Sequence, residues 1–178
     1  CEETHYPFDL AINLSLGLEQ PIAFDLALRL PTWADGFELN GADDYEMRDG
    51  FIHIQRTWQS GDHISLRFTT TVKTHAWRNS EVYFSRGPLL FALPLPGESR
   101  PGRSYPRPGF QDEYVDAASR EASLSASRGE TFSLEQGIFD PQHPWESLGL
   151  RGQLSGSPVR LAPMGGTILR QVTFAVKD

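Results

Sequence analysis

The side chains of this 178-residue chain that could bind a transition metal are one cysteine and five histidines. A metal site needs several His, Cys or carboxylate ligands that converge on one point. His53 lies between Ile52 and Ile54, and His63 precedes Ile64, so strand alternation predicts that both imidazoles face solvent. No pair of histidines falls at the ligand spacing of a helix or a hairpin, and we expect no metal site. The histidines are His5, His53, His63, His75 and His143.

Acidic residues are numerous, with 23 Asp and Glu in the chain, but they show no catalytic arrangement. Glycoside cleavage needs two carboxylates that face each other across one sugar. Asp9 and Asp25 alternate with apolar neighbours, which predicts that they lie on the solvent-facing sides of strands. Cys1 stands at the end of the sequence, where we expect no scaffold to position a nucleophile. Phosphate-binding loops and nucleophile elbows do not occur either, so we expect no catalytic residue and no cofactor in this chain.

Tryptophans are the remaining candidates for ligand contact, because sugars dock on exposed aromatic ring faces. The chain has four of them. Trp33 and Trp58 each follow a predicted strand in a turn-like setting, where an aromatic side chain usually caps the core or seals an interface. Trp145 directly follows Pro144 in a proline-containing stretch that we interpret as a loop, and it is less constrained. We therefore take Trp33, Trp58 and Trp145 as candidate contacts to a sugar or to another domain.

The charge of the chain argues against binding to nucleic acid. The formal net charge is −7, whereas phosphate binding needs clustered Lys and Arg. The only loose cluster of basic residues is formed by Arg100, Arg103 and Arg107, which are spaced among prolines and glycines. We interpret this cluster as part of a solvated loop; the alternative is an anion-binding site. No apolar run approaches the roughly 20 residues of a membrane helix. We expect neither nucleic acid nor a membrane as a partner, and the compartment stays open.

Large apolar residues occupy every second position over residues 8–16, 22–30 and 64–68, with polar residues or alanine between them. This period of two is typical of antiparallel strands with one buried and one solvent-facing side, and a helix would need steps of three and four. Turn pairs such as Asn40-Gly41 and Asp49-Gly50 separate further short strands. The pattern predicts an all-β protein. Its expected inward residues are Leu10, Ile12, Leu14, Phe24, Leu26, Leu28, Ile64, Leu66 and Phe68.

Strands that recur about every ten residues indicate antiparallel β-sandwiches, and the length allows two sandwich-like units. We place the first at residues 1–80 and the second at residues 81–178. The second contains a Pro- and Gly-rich stretch at residues 94–110, which we interpret as a long loop. Residues 111–135 favour a short helix as much as edge strands.

Five segments resemble, in the right order, the C-terminal β-sandwich region of the β-L-arabinofuranosidase-like glycosidases, glycoside hydrolase family 127 and its relatives. Each motif is weak alone, but together they extend over almost the whole chain. The segments are residues 4–9 (THYPFD), 29–41 (RLPTWADGFELNG), 50–62 (GFIHIQRTWQSGD), 86–93 (RGPLLFAL) and 161–174 (LAPMGGTILRQVTF).

The resemblance implies a non-catalytic accessory region of a bacterial glycoside hydrolase. In that family an upstream (α/α)6 barrel performs the chemistry with a glutamate and a zinc-bound cysteine cluster, and two β-sandwiches support it. This chain contains no counterpart of the barrel, so no catalytic residue is carried over and zinc is expected only in the barrel. The strands that precede residues 4–9 in the family have no counterpart either, so the first sandwich is expected to be incomplete.

Two other functions stay open at this point. One is a free-standing carbohydrate-binding module, for which a row of aromatic side chains on one exposed face would be the sign. The other is a hydrolase that uses carboxylates without a visible motif. Surface made for an absent partner also leads us to expect self-association of the isolated chain.

Overall fold

A computed structural model describes residues 1–117 and 123–177, and the fold is all-β as predicted. Of the described residues, 57% lie in strands and 6% in short 3-10 helices. The chain divides into two compact units, Cys1–Thr71 and Val72–Asp178. The pattern of strands and turns in the sequence predicts this division near residue 80. The difference is the strand Val72–Ala76, which pairs with a strand of the second unit, Glu81–Arg86.

The first unit contains two antiparallel sheets. One has the strand order β1-β2-β7-β4, and the other has the order β3-β6-β5. The Asp49-Gly50 turn that joins β5 to β6 has φ values of 51° and 78°, as a two-residue hairpin turn of type I′ requires. The strands are β1 Glu2–Thr4, β2 Ala11–Ser15, β3 Ile22–Arg29, β4 Gly36–Asn40, β5 Glu46–Arg48, β6 Phe51–Trp58 and β7 His63–Thr69.

Both sheets of the first unit contribute to one apolar core, so they face each other as a sandwich. The alternation in β7 buries Ile64, Leu66 and Phe68, and the alternation in β6 buries Ile52 and Ile54. The predicted inward faces are therefore confirmed. Side chains from β2 and β3 are only partly buried against this core, and they are Ile12, Leu14, Phe24, Leu26 and Leu28.

The second unit is built on a mixed sheet with the main strand order β13-β18-β9-β10-β16-β15-β14. Strand β8 also pairs with β9, strand β17 also pairs with β10, and β13 with β18 is a parallel pair. Its 3-10 helices are Arg78–Ser80, Pro144–Ser147 and Met164–Gly166. The strands are β8 Val72–Ala76, β9 Glu81–Arg86, β10 Leu89–Pro94, β11 Gly97–Ser104, β12 Gln111–Ala117, β13 Ser125–Ser127, β14 Ser133–Gln136, β15 Leu148–Leu154, β16 Ser157–Pro163, β17 Arg170–Gln171 and β18 Phe174–Lys177.

The core of the second unit is centred on aromatic side chains. Phe84 is 1% exposed, and its ring centroid lies 4.4 Å from that of Phe132 and 5.8 Å from that of Phe174. Other fully buried side chains come from β10, β15 and β16, and they are Phe91, Leu148, Leu150, Leu154 and Leu161.

The predicted loop at residues 94–110 is wrong for Gly97–Ser104. Strand β11 covers Gly97–Ser104 and pairs with β12 in a separate two-stranded ribbon. Pro101 is accommodated because the ladder shifts register between Pro101 and Ser104, and an irregular two-stranded ribbon leaves many N–H groups unpaired. Gly102 also helps, since any Cβ there would lie 2.4 Å from the ring of Tyr114. Of the short helix and the edge strands that were both open for residues 111–135, the described residues of this stretch include strands β12 and β13 and the start of β14; residues 118–122 lie outside the described residues.

Candidate functional site

Trp58 ends strand β6 and is fully buried in the core of the first unit, with 0% exposure. Its indole N–H donates to the carbonyl oxygen of Phe24 at 3.1 Å, and its ring stacks on the Phe24 ring at 5.5 Å. The guanidinium of Arg56 lies 4.1 Å from the ring centroid. The expected contact of Trp58 with a sugar or another domain is therefore corrected, because no ring face is open. Its even position matches Ile52 and Ile54, and this parity was the signal for an inward side chain.

Trp33 lies in the turn after β3 and forms a wall of an apolar cleft in the first unit. Its ring stacks against Tyr6 at 6.4 Å and meets the edge of Phe68 at 5.4 Å. Tyr6 is 40% exposed, whereas Phe68 belongs to the core. The cleft has a volume of about 480 Å³, and its other lining includes Ile12, Leu14, Ala27, Leu28, Arg29, Pro31 and Leu66. The two half-buried rings thus border an open gap between β2 and β3.

Trp145 lies in the 3-10 helix Pro144–Ser147 of the second unit. Its ring packs flat on the backbone of Gly166, where a Cβ would lie 2.3 Å from the indole. His143 approaches its edge at 5.8 Å. Trp145 borders a cleft of about 400 Å³ that also contains Arg160 and Ile168. Ile168 is 76% exposed, so this cleft has an apolar rim.

A charged network fastens this 3-10 helix to the sheet. Glu135 accepts hydrogen bonds from Arg151 at 2.6 Å and from Arg160 at 2.7 Å. Arg160 also donates to the backbone carbonyl oxygens of Glu146 and Leu148. The hydrogen bonds from Arg151 and then Arg160 lower the pKa of Glu135 to about 2. A carboxylate held ionised in this way cannot serve as a general acid near neutral pH.

His53 differs from the sequence-based expectation in how far its side chain is covered. It lies on the outer face of β6, as alternation predicts, but its side chain is only 16% exposed. Its Nδ1 lies 2.7 Å from Oδ2 of Asp25, and Nη2 of Arg48 lies 3.3 Å from the same oxygen. Ala27 is the residue opposite His53 on β3, and its small side chain leaves room for this diagonal contact. The expectation of a solvent-facing His53 is corrected; His63 is exposed as expected.

The Asp25–His53–Arg48 cluster lines a small polar cleft on the outer face of the sheet β3-β6-β5. The cleft has a volume of about 240 Å³ and is completed by Asp44, Tyr45, Glu46 and Gln55. Sequence reasoning could not find it, because the three members of the cluster come from three strands whose register was unknown.

Two kinds of feature are missing from the described part of the chain, namely clusters of metal-ligating side chains and membrane-spanning helices. Within residues 1–117 and 123–177 no group of three or more His, Cys, Asp or Glu side chains could hold a metal ion. The same residues contain no helix that is long and apolar enough to cross a membrane.

Comparison with known proteins points to one family. Residues 1–70 match the family model described as the beta-L-arabinofuranosidase, GH127 middle domain. No curated protein matches the chain. A solved GH127 beta-L-arabinofuranosidase from Geobacillus Stearothermophilus T6 matches 99% of this chain at 22% identity with a TM-score of 0.66, over 30% of its own length.

Two further solved structures have the same fold. A protein described as a glycoside hydrolase matches 99% of this chain at 17% identity with a TM-score of 0.63, over 32% of its own length. A GH127 beta-arabinofuranosidase matches 99% at 15% identity with a TM-score of 0.53, over 31% of its length. The chain thus spans about a third of the proteins it resembles. The resemblance to glycoside hydrolase family 127 is confirmed: residues 1–70 match its middle domain, and the whole chain shares the fold of one part of such enzymes.

Proposed function

We propose that this chain is a non-catalytic accessory β-sandwich region of a bacterial β-L-arabinofuranosidase-like glycoside hydrolase, which supports an upstream (α/α)6 catalytic barrel. The observation that carries the proposal is the match of residues 1–70 to the GH127 middle domain. The chain matches only 30–32% of the length of these solved proteins. In our proposal the catalytic residues lie in the remaining part of such a protein.

The side chains support a role without catalysis. A zinc-thiolate site of the kind that the resemblance implies for the barrel needs several cysteines at one metal, and this chain has one. The described residues also lack any other set of metal ligands. Hydrogen bonds from Arg151 and Arg160 lower the pKa of Glu135, so this carboxylate stays ionised between the two arginines. Zinc chemistry therefore belongs to the barrel in this proposal.

The apolar cleft beside Trp33 supports a role in domain packing. Tyr6 and Trp33 present a stacked pair of rings at the rim of a gap of about 480 Å³. Exposed apolar surface of this kind is typical of places that a partner domain or a ligand covers. In our proposal Trp33 contacts a neighbouring domain of the parent enzyme.

The test begins with the reading frame, which should encode a helical barrel upstream of residue 1. The parent enzyme is then prepared as wild type, as Trp33→Ser and as Trp77→Ser; Trp77 is 54% exposed and serves as the control. We expect Trp33→Ser to lower the melting temperature and the activity of the parent on an aryl β-L-arabinofuranoside, and Trp77→Ser to change neither.

Two results would contradict the proposal. One is a reading frame that encodes no catalytic domain. The other is a parent enzyme whose stability and activity are unchanged when residues 1–178 are deleted, because an accessory region that supports the barrel cannot be dispensable.

A further inference from the structure

The polar cleft on the outer face of the sheet β3-β6-β5 has polar side chains that are open to solvent. The side chains of Gln55 and Asp44 are exposed, and both line the cleft. Gln55 lies opposite Asp25 in the β3–β6 ladder, so its amide stands beside the Asp25–His53–Arg48 cluster. The cleft thus offers donors and acceptors that a ligand can satisfy.

The charges of the cleft select the class of ligand. Asp25 is already paired with His53 and Arg48, and Arg48 also lies 3.7 Å from Glu46. Three carboxylates oppose an anionic ligand, and the cluster does not have the geometry of a metal site. A neutral ligand that both donates and accepts hydrogen bonds fits this mixture of carboxylate, amide, imidazole and guanidinium groups.

Aromatic side chains flank the same cleft. Tyr45 forms part of its wall and is 42% exposed. Phe51 is 38% exposed, and its ring lies 6.2 Å from that of His53. The apolar C–H face of a sugar packs on such rings while its hydroxyl groups meet the polar side chains. The volume of about 240 Å³ is smaller than the roughly 300–1,000 Å³ of pockets for drug-sized molecules, which limits the ligand to about one sugar ring.

We propose that this cleft binds one sugar unit of a neutral carbohydrate. Gln55 and Asp44 hydrogen-bond the hydroxyl groups, and Tyr45 contacts the ring. The pairing of Asp25 with His53 and Arg48 holds the floor of the cleft in place. This site goes beyond the accessory role proposed above and does not depend on it, since binding is measured on the chain without a barrel.

The experiment is a titration of the isotope-labelled chain with L-arabinose, D-galactose and glycerol, followed by backbone amide chemical shifts. We expect the sugars to shift amides of residues 44–56 and of Asp25 in a saturable manner in the millimolar range, and glycerol to shift them less. Gln55→Ala should weaken binding about fivefold or more, because it removes one hydrogen-bonding partner. The double variant Tyr45→Ala with Gln55→Ala should abolish it.

Gln59→Ala is the matched control, since Gln59 is an exposed glutamine beyond the end of β6 and does not line the cleft. It should bind as the wild type does. Thermal unfolding of every variant shows whether a loss of binding is due to a loss of folding. None of the three substituted side chains belongs to the core. The proposal is overturned by the absence of saturable shifts with both sugars, by shifts that map elsewhere, by an equal response to glycerol, or by unchanged binding in the double variant.

Discussion

Replacement of Trp58 tests whether the sandwich of the first unit is packed as described. The side chain is 0% exposed, its N–H donates to the Phe24 carbonyl oxygen, and Arg56 lies over its ring. Truncation of a buried tryptophan to alanine costs about 3–5 kcal/mol, through lost burial and the cavity that remains. This is a large share of a total stability of roughly 5–15 kcal/mol, so we expect Trp58→Ala to leave the first unit barely folded.

A second substitution separates the contributions. Trp58→Phe keeps an aromatic ring that can stack on Phe24, but it removes the N–H donor and some volume. The lost hydrogen bond contributes about 1 kcal/mol and the smaller ring adds to that, so we expect a loss of about 1–3 kcal/mol. The order of stability should be wild type, then Trp58→Phe, then Trp58→Ala.

The measurement is urea unfolding followed by circular dichroism, with Trp77→Ala as the control for loss of an exposed tryptophan. Trp77 is 54% exposed, and its replacement should change the free energy of unfolding by less than about 0.5 kcal/mol. Wild-type stability of Trp58→Ala, or equal effects of Trp58→Ala and Trp77→Ala, would refute the buried position of Trp58 and with it the register of β6.

Three further predictions, made with four substitutions, test the fold. Alanine at position 41 or 61 must adopt a φ near +90°, which lowers the free energy of unfolding by about 1–3 kcal/mol. At position 41 the added Cβ would also lie 2.1 Å from the His63 carbonyl oxygen. Gly41→Ala should therefore have a clearly lower melting temperature than Gly61→Ala. The pKa of Glu135 is lowered from 4.5 to about 2 in the folded protein, so its ionised form stabilises the fold at higher pH, and that stability is lost as the pH falls from 4.5 to 2. The melting temperature of Glu135→Gln should therefore depend less on pH in this range than that of the wild type. An identical pH dependence of the two proteins would contradict the ion pairs. Leu26→Ala should lower the free energy of unfolding, measured in urea, by about 2 kcal/mol, which is near the low end for leucine because Leu26 is only partly buried. An unchanged free energy of unfolding would mean that β3 turns its other face to the core.

Alternation in the sequence was sufficient to predict the sandwich of the first unit. Strands β6 and β7 bury the residues of one parity, and the apolar residues Phe24, Leu26 and Leu28 of β3 pack partly buried against the same core, so hydrophobicity alone identifies the inward faces. The same reasoning failed for Gly97–Ser104, where prolines and glycines suggested a loop. A two-stranded ribbon tolerates them because few of its N–H groups need partners, and this depends on pairing with β12 rather than on local propensity.

The candidate sites were less accessible to sequence reasoning, because they depend on register between strands. His53 was assigned to the correct face, but its cover by Asp25 and Arg48 follows from the pairing of β3, β6 and β5. Trp58 was interpreted as a turn residue after the strand. In the structure β6 continues to Trp58, and at an even position like Ile54 its side chain points to the core. Trp33 and Trp145 do border clefts, and their contacts with a domain or a sugar stay predictions.

The most direct test of the central claim is an assay of the purified chain against aryl β-L-arabinofuranosides and related aryl glycosides, with metal analysis of the same sample. Hydrolysis needs a nucleophile and an acid on opposite sides of one anomeric carbon, and a zinc-thiolate mechanism needs more than the single Cys1. An accessory region predicts no turnover and no stoichiometric zinc. Turnover that survives repurification and disappears when one Asp or Glu is replaced would show that the chain has an active site of its own.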